Sequence, residues 1–305
     1  MEPLILRNYR DADATAVSGL IRQVYGDQYA QPDVYLPHMI SQHHSHQRWH
    51  SLVAEVDGQI LGHATLLREN VGQGAELAVS VVHPDFRGQN IATRLGEQLR
   101  VHAQALGCRY LSIKQVTCHP YTQRMAHSLG FHNTGLLPDY VPSPLAPPTR
   151  ESIVVGFQNI PGYQRPLPDL RWPMQHEAFM LHLSNELGVE EPLPHWRGAP
   201  IHVGHGASRH DLVLEKLKPG LLKQLRELPA HWLVSLRLGL SRHFALDVDR
   251  LASIGFVFTG LAPGDGHCDG WLALFHRGHS DRALQLHCPL MQRLQDRLQQ
   301  KPDDV

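Results

Sequence analysis

One segment of this 305-residue chain occurs twice. Ser128 to Pro138 reads S-L-G-F-H-N-T-G-L-L-P, and Ser253 to Pro263 reads S-I-G-F-V-F-T-G-L-A-P, with identity at seven of eleven positions and an offset of 125 residues. A helix-like pattern precedes each copy and a strand-like one follows. An echo of letters and element order together requires two tandem units of one fold. The competing account is a chance likeness of two glycine-rich β-turns. The length accommodates two units, since compact domains run about 100–200 residues.

Composition narrows the function classes. Lys and Arg total 28 against 29 Asp and Glu, a net charge of -1. That balance sets up no field to gather phosphates or an anionic surface, which points away from nucleic acid. Apolar stretches are broken by Gly, Pro or charge well short of the ~20 residues a spanning helix needs, so no membrane partner is expected. Met1 to Arg10 lack the basic-then-apolar layout of an export signal, and a cytoplasmic location is the expectation. Cys108, Cys118, Cys268 and Cys288 include no C-x-x-C pair, which argues against a disulfide framework or a thiolate zinc site. Histidine is abundant at 23 residues, with a cluster at His38, His43, His44, His46 and His50. The spacing of His43, His46 and His50 would set three imidazoles on one helical face. The wide scatter of histidine favours a surface polar role, and no metal is expected.

Along the first half, Leu4 to Tyr9 reads as a strand, and Val17, Leu20, Ile21 and Val24 recur at the helical spacing. Ser51 to Val56, the turn Asp57-Gly58, and Gln59 to Leu66 read as a hairpin with a type I′ turn. Glu76 to Val82 continues the meander. There follow a polar loop, a helix carrying Ile91, Leu95 and Leu99, a strand over Tyr110 to Val116, a helix over Thr122 to Ser128, and Gly130-Phe131 before another strand. This order gives an α/β (α+β) fold, a mixed central sheet flanked by helices. Strand, polar loop and helix start together form an anion cradle, because orphan amides and the positive helix end point at one spot. No G-x-G-x-x-G follows a strand and no G-K-S/T occurs, so Rossmann and Walker readings fail.

The segment Val82-x-Pro84-x-x-Arg87-Gly88-x-Asn90-x-Ala92, with Leu129-Gly130-Phe131 after a short helix, resembles the GCN5-related N-acetyltransferase (GNAT) superfamily over about residues 3–157. The resemblance implies a GNAT-like fold and acetyl-CoA as co-substrate. It implies a diphosphate held by the backbone of Arg87, Gly88, Gln89, Asn90, Ala92 and Thr93, and a pantetheine arm paired with Val81 and Val82. Asn90 stands where the family has glycine; Asn is the non-glycine residue most tolerant of left-handed geometry. Glu76, eleven residues before Arg87, matches a catalytic glutamate of the histone-acetyltransferase branch and is the candidate base. The tyrosine that usually serves as acid is Ala126 here, which leaves His119 and Tyr121 as candidate proton donors to sulfur. Tyr25, Tyr29 and Tyr35 lie in the segment that lines the substrate side in this superfamily, and equally suit packing under a loop.

The organisation expected is a GNAT-like domain over 1–157, a Pro-rich linker over 158–173 and a second GNAT-like unit over 174–305, in tandem. The second unit has nothing like V-x-P-x-x-R-G and is read as a degenerate copy that closes the acceptor pocket or pairs two subunits in a homodimer. The function implied is acetylation of a primary amine on a small molecule, an amino acid or amine. The alternative is a catalytically impaired acetyl-CoA-sensing regulator whose C-terminal domain binds a partner.

Overall fold

Asp57 and Gly58 take φ of 50° and 77°, the left-handed pair a type I′ turn requires, and the hairpin forms where the sequence places it. The computed structural model describes residues 3–68, 74–143, 149–191, 193, 195–206, 209–264 and 266–299. The first half runs β1 (Ile5–Asn8), α1 (Ala14–Tyr25), α2 (Pro37–Ser45), β2 (Trp49–Val56), β3 (Gln59–Leu67), β4 (Gly74–Val82), α3 (Ile91–Ala105), β5 (Tyr110–Val116), α4 (Tyr121–Ser128), β6 (His132–Pro142) and β7 (Arg150–Asn159). The second runs β8 (Leu167–Pro168), α5 (Glu177–Leu187), β9 (Val189–Glu190), β10 (Ile201–Gly206), β11 (Arg209–Leu214), α6 (Pro219–Glu227), β12 (Val234–Gly239), α7 (Phe244–Ala252), β13 (Val257–Pro263), β14 (Trp271–Arg277) and α8 (Pro289–Leu298).

Twelve of these strands form one sheet in the order β1-β2-β3-β4-β5-β7-β6-β13-β14-β12-β11-β10. Only β4 with β5 and β11 with β12 are parallel. The two halves meet where β6 crosses β13, paired at Gly135 and Gly260. Outward from that crossing, β7, β5, β4 and β3 on one side correspond in order and sense to β14, β12, β11 and β10 on the other. The connections correspond too, α3 with α6 and α4 with α7.

The repeated glycines have two matching physical roles. Gly130 and Gly255, at φ 82° and 84°, end α4 and α7 by the same two bonds, from Gly130 N–H to His127 and Phe131 N–H to Ala126, and from Gly255 N–H to Ala252 and Phe256 N–H to Leu251. Gly135 and Gly260 serve the crossing. A Cβ on Gly260 would lie 2.4 Å from the Thr134 carbonyl oxygen, and one on Gly135 would lie 2.9 Å from Leu274 Cδ1. Thr134 donates its hydroxyl to the Leu261 carbonyl at 2.9 Å and ties the seam.

On one face of the first half, α3 and α4 bury Leu95, Leu99, Met125 and Leu129 against Leu77 and Ile113. On the other, α1 and α2 bury Val17, Ile21 and Ile40 against Val79 and Val81. The second half shares its core with the first: Tyr110, Leu136, Val154 and Phe157 belong to the same cluster as Phe244, Phe258, Trp271 and Met291. Phe256, Phe258 and Trp271 are core residues, while Trp232 is partly buried against the same cluster.

The segment read as a linker is held in place. Residues 158 and 159 are the end of β7, Leu167 is fully buried, and Arg165 lies 4.2 Å from the Tyr110 ring centroid while donating to the Gly270 carbonyl at 2.8 Å. The histidine cluster does not share a helix face. His43 lies in α2, His46 caps it, and His50 belongs to β2, because the chain turns back at Gln47 with φ 55° to start the strand. Among the described residues no group of His, Cys, Asp and Glu is arranged to hold a metal, and no helix is long and apolar enough to cross a membrane.

Candidate active site

The site begins at a bulge in β4. Pairing with β3 slips between His63 and Thr65, and Val79 takes φ 47°, a strained value for a β-branched residue. Before the bulge, Ala75 and Leu77 face α3; after it, Val79 and Val81 face α1. The flip turns the strand away from β5. Parallel pairing reaches Leu77 with Ile113 and stops there, so β4 from Ala78 to Val82 and β5 from Lys114 to Val116 open into a wedge. His63 supports the bent strand. It is fully buried, and its Nδ1 donates to the Val79 carbonyl at 3.0 Å. Burial lowers its pKa to about 4, which keeps the ring neutral.

The wedge opens onto the loop before α3. Pro84–Phe86 form a turn of tight helix, Gly88 takes φ 79°, and Asn90 sits left-handed at φ 56°, ψ 20° as the cap of α3. Asparagine thus holds the geometry expected of the family's glycine. Among the described residues, no hydrogen bond engages the backbone amides from Gly88 to Thr93, and these donors converge at the positive end of a fifteen-residue helix. The Arg87 amide is different from the sequence expectation: it donates to the Pro84 carbonyl at 3.2 Å and is spent inside the loop. From α1, Gln23 Nε2 reaches His83 Nε2 at 2.8 Å and ties the loop to the acceptor side.

Glu76 lies on the same strand, on the face covered by α1. It is not merely solvated: its carboxylate meets Lys114 Nζ at 2.8 Å. The Glu76 charge outweighs burial and holds the Lys114 ammonium well above its ordinary value. Tyr25 and Tyr29 meet at a tilt, 4.9 Å between ring centroids, and Tyr35 Oη accepts the Tyr29 amide at 2.8 Å. Burial pushes the Tyr29 hydroxyl up, and the nearby Tyr25, Glu76 and Tyr35 push the same way. The Tyr25 hydroxyl is raised by burial and opposed by Arg87, so these tyrosines join the cradle to the carboxylate. They also pack against the α1 core. His119 and Tyr121 stand at the start of α4, ring centroids 5.1 Å apart; Tyr121 is 71% exposed, and His119 Nδ1 is buried without a partner. No hydrogen bond joins either one to Glu76 among the described residues.

The sequence reading missed His63, Lys114 and Tyr140. Tyr140, at the outer end of β6, gathers cations from both halves. Lys114 Nζ lies 5.9 Å from its ring centroid and Arg209 Cζ 3.8 Å, and Arg237 Nη2 donates to its hydroxyl at 3.2 Å. Burial raises this hydroxyl, but Lys114, Arg237 and Arg209 together outweigh it and hold it below the ordinary value. A readable signal existed: β5 carries Ser112-Ile113-Lys114 and β12 carries Ser235-Leu236-Arg237, each a cation set two residues after a serine in an apolar strand. A separate hollow of about 500 Å³, lined by Asp139, Arg150, His210 and Trp232 among others, contains none of the predicted site residues. The candidate site is an open wedge and groove.

Residues 16–131 match the model of the acetyltransferase (GNAT) family. That match lies within the first half of the chain. Acetyl-CoA is the co-substrate of the GNAT family. Among solved structures, yncA of Salmonella typhimurium, determined with its cofactor acetyl-CoA, aligns at 18% identity with a TM-score of 0.47, over 54% of this chain and 99% of its own. An N-acetyltransferase of Staphylococcus aureus aligns at 20% identity and a TM-score of 0.44, over 52% of this chain and 99% of its own. The ribosomal-protein-S18-alanine N-acetyltransferase of Escherichia coli aligns at 17% and 0.43, over 52% and 94%. No curated protein matches the sequence. The GNAT match ends at Phe131, so the similarity covers α1 to α4 and leaves the second half to be read from its own geometry.

Proposed function

We propose that this protein transfers the acetyl group of acetyl-CoA to a primary amine of a small molecule, using the wedge of β4 and β5 and the start of α3. The observation that carries the reading is the conjunction of free amides from Gly88 to Thr93, a strand parted from its neighbour, and a lysine-paired carboxylate on that same strand. The amides of Gly88, Gln89, Asn90, Ala92 and Thr93 would hold the diphosphate, and the free edge of Val81 and Val82 would hold the pantetheine arm. Bound there, acetyl-CoA supplies an activated acyl group.

The acceptor arrives as an ammonium, whose ordinary pKa near ~10.4 leaves little free amine at pH 7. Glu76, paired with Lys114 at 2.8 Å, takes its proton directly or through water. The amine nitrogen attacks the thioester carbonyl carbon; the C–N bond forms, the C–S bond breaks, and the thiolate carries away the electron pair. The thiolate takes up a proton, either from His119 or Tyr121 or from water, since a thiol of pKa near ~8.5 leaves without strong acid assistance. Ala126 is 1% exposed in α4, so no acid acts from that position.

Calorimetric titration with acetyl-CoA, followed by thiol release across amines, amino acids and peptide N-termini, tests the reading. Binding with turnover of a small amine is expected. Binding without turnover of any acceptor would favour the alternative of a regulator that senses acetyl-CoA, and absence of binding would remove both. We also read the second half as a copy that has lost its cradle. There β11 stays paired with β12 through Val213 with Arg237 and Leu214 with Leu238, beyond the point equivalent to the parting of β4 from β5, so no wedge opens.

A further inference from the structure

The crossing at Gly135 and Gly260 lets the two halves be compared residue by residue. Gly135 faces Val155 on β7 and Gly260 faces Leu274 on β14; Val155 faces Lys114 on β5 and Leu274 faces Arg237 on β12. Lys114 and Arg237 therefore occupy the same position in the two halves. One strand further, Glu76 faces Ser112 and Asp211 faces Ser235, each serine two residues before its cation, so Asp211 is the counterpart of Glu76. Both acid and cation positions are filled in both halves. The pairing differs. Glu76 neutralises Lys114 at 2.8 Å, whereas Asp211 is taken by Arg209, from Nε at 2.8 Å and Nη2 at 2.7 Å. Arg237 is left with the Tyr140 hydroxyl at 3.2 Å, and among the described residues no carboxylate lies within ion-pair distance of it.

Tyr140 brings this guanidinium round to the acceptor side. Its ring is within reach of Lys114 from the first half and of Arg237 from the second, so the array Glu76, Lys114, Tyr140, Arg237 runs unbroken across the seam. A half-buried guanidinium without a carboxylate of its own is a fork for a planar anion. Resting on the acetyltransferase reading above, we propose that Arg237 binds a carboxylate of the acceptor, and that the second half is there to supply it. Because Lys114 and the Tyr140 ring stand between Glu76 and Arg237, amine and carboxylate belong at opposite ends of an extended acceptor. The class is a terminal-amino carboxylate, with an intervening chain of about three to five carbons.

The test compares, on the full chain, glycine, β-alanine, γ-aminobutyrate and aminocaproate with alkylamines and aminoalkylphosphonates of the same lengths. The ratio of kcat/KM for carboxylate over matched alkylamine should exceed one and rise with length. In Arg237→Gln that ratio should fall at least about tenfold, through KM rather than kcat, with partial recovery in Arg237→Lys. Acetyl-CoA affinity, read by calorimetry, reports whether each variant keeps the cradle. A ratio near one at every length, a phosphonate preferred to the carboxylate, or a ratio unmoved in Arg237→Gln overturns the proposal. Titration with acetamidocaproate, the product form, reads the same contact without turnover. Weaker binding in Arg237→Gln supports it and equal binding overturns it, even if the acetyltransferase reading itself fails for want of thiol release.

Discussion

His63 shows how one buried residue sets the geometry of the wedge. Its neutral ring donates to the carbonyl of Val79, the residue whose left-handed φ bends β4, and desolvation pushes its pKa from 6.5 to about 4. Between those values the unfolded chain takes up a proton that the folded chain refuses. This stability is therefore intact above pH 6.5 and lost as pH falls towards 4, by about 3 kcal/mol for His63. His176, lowered to about 3 by burial and by Arg297, adds to the same acid loss. Urea unfolding at pH 7 and pH 5 should show a clear drop that His63→Phe reduces, while the same variant weakens acetyl-CoA binding by leaving the Val79 carbonyl unsupported. At the reacting end, Glu76→Gln should keep cofactor affinity and lose most turnover at pH 7, with the deficit shrinking as pH nears the amine's own pKa. A pH–rate profile parallel to the parent's would remove Glu76 from the mechanism.

At the scale of elements, glycines with different tasks predict different costs. Gly88 has open space around its missing Cβ, so Gly88→Ala faces only the left-handed φ and should cost about 1 kcal/mol, whereas Gly88→Leu should also block the approach of a diphosphate. Gly260→Ala drives a methyl into the backbone of β6 and should cost about 3 kcal/mol or prevent folding. Thermal melts of the three variants with acetyl-CoA titrations separate these cases. The same contrast marks how far the sequence could be read. Strands and helices whose burial follows a simple period were legible, and β5 has the bounds expected. β7 went unread because nearly all of its residues are buried, so its letters show no alternation. The loop before α3 was legible because proline, glycine and asparagine mark its turns. The wedge was not, because nothing in a valine announces a positive φ. Nor was the Tyr140 groove, which exists only once two distant strands cross at a pair of glycines.

The whole molecule follows from that crossing. A first half alone would expose β6 as a bare edge and uncover Leu136, Val154 and Phe157, which are buried by the second half. The seam is polar as well as apolar. Asp139, on β6, accepts bonds from the Ser280 amide and hydroxyl and pairs with Arg282, which outweigh its desolvation and hold its carboxyl below the ordinary value. On the helical face, Gln123 of α4 donates to the Gln285 carbonyl at 2.7 Å and accepts the His287 amide at 2.8 Å. With one core and ties on both faces, the halves should unfold together. A single urea transition is expected, with tryptophan fluorescence, far-ultraviolet circular dichroism and loss of acetyl-CoA binding sharing one midpoint. Trp271→Ala, in the second half, removes the ring packed 4.6 Å from Phe157; it should cost about 3–5 kcal/mol of stability and lower that midpoint equally for all three probes. A chain ending after Asn159 should aggregate or pair through β6 rather than remain a folded cofactor binder. Two separated transitions, or a first half that binds acetyl-CoA alone with full affinity, would mean that the continuous sheet joins two independent domains, and the groove at Arg237 would then be a contact between neighbours and not part of one active site.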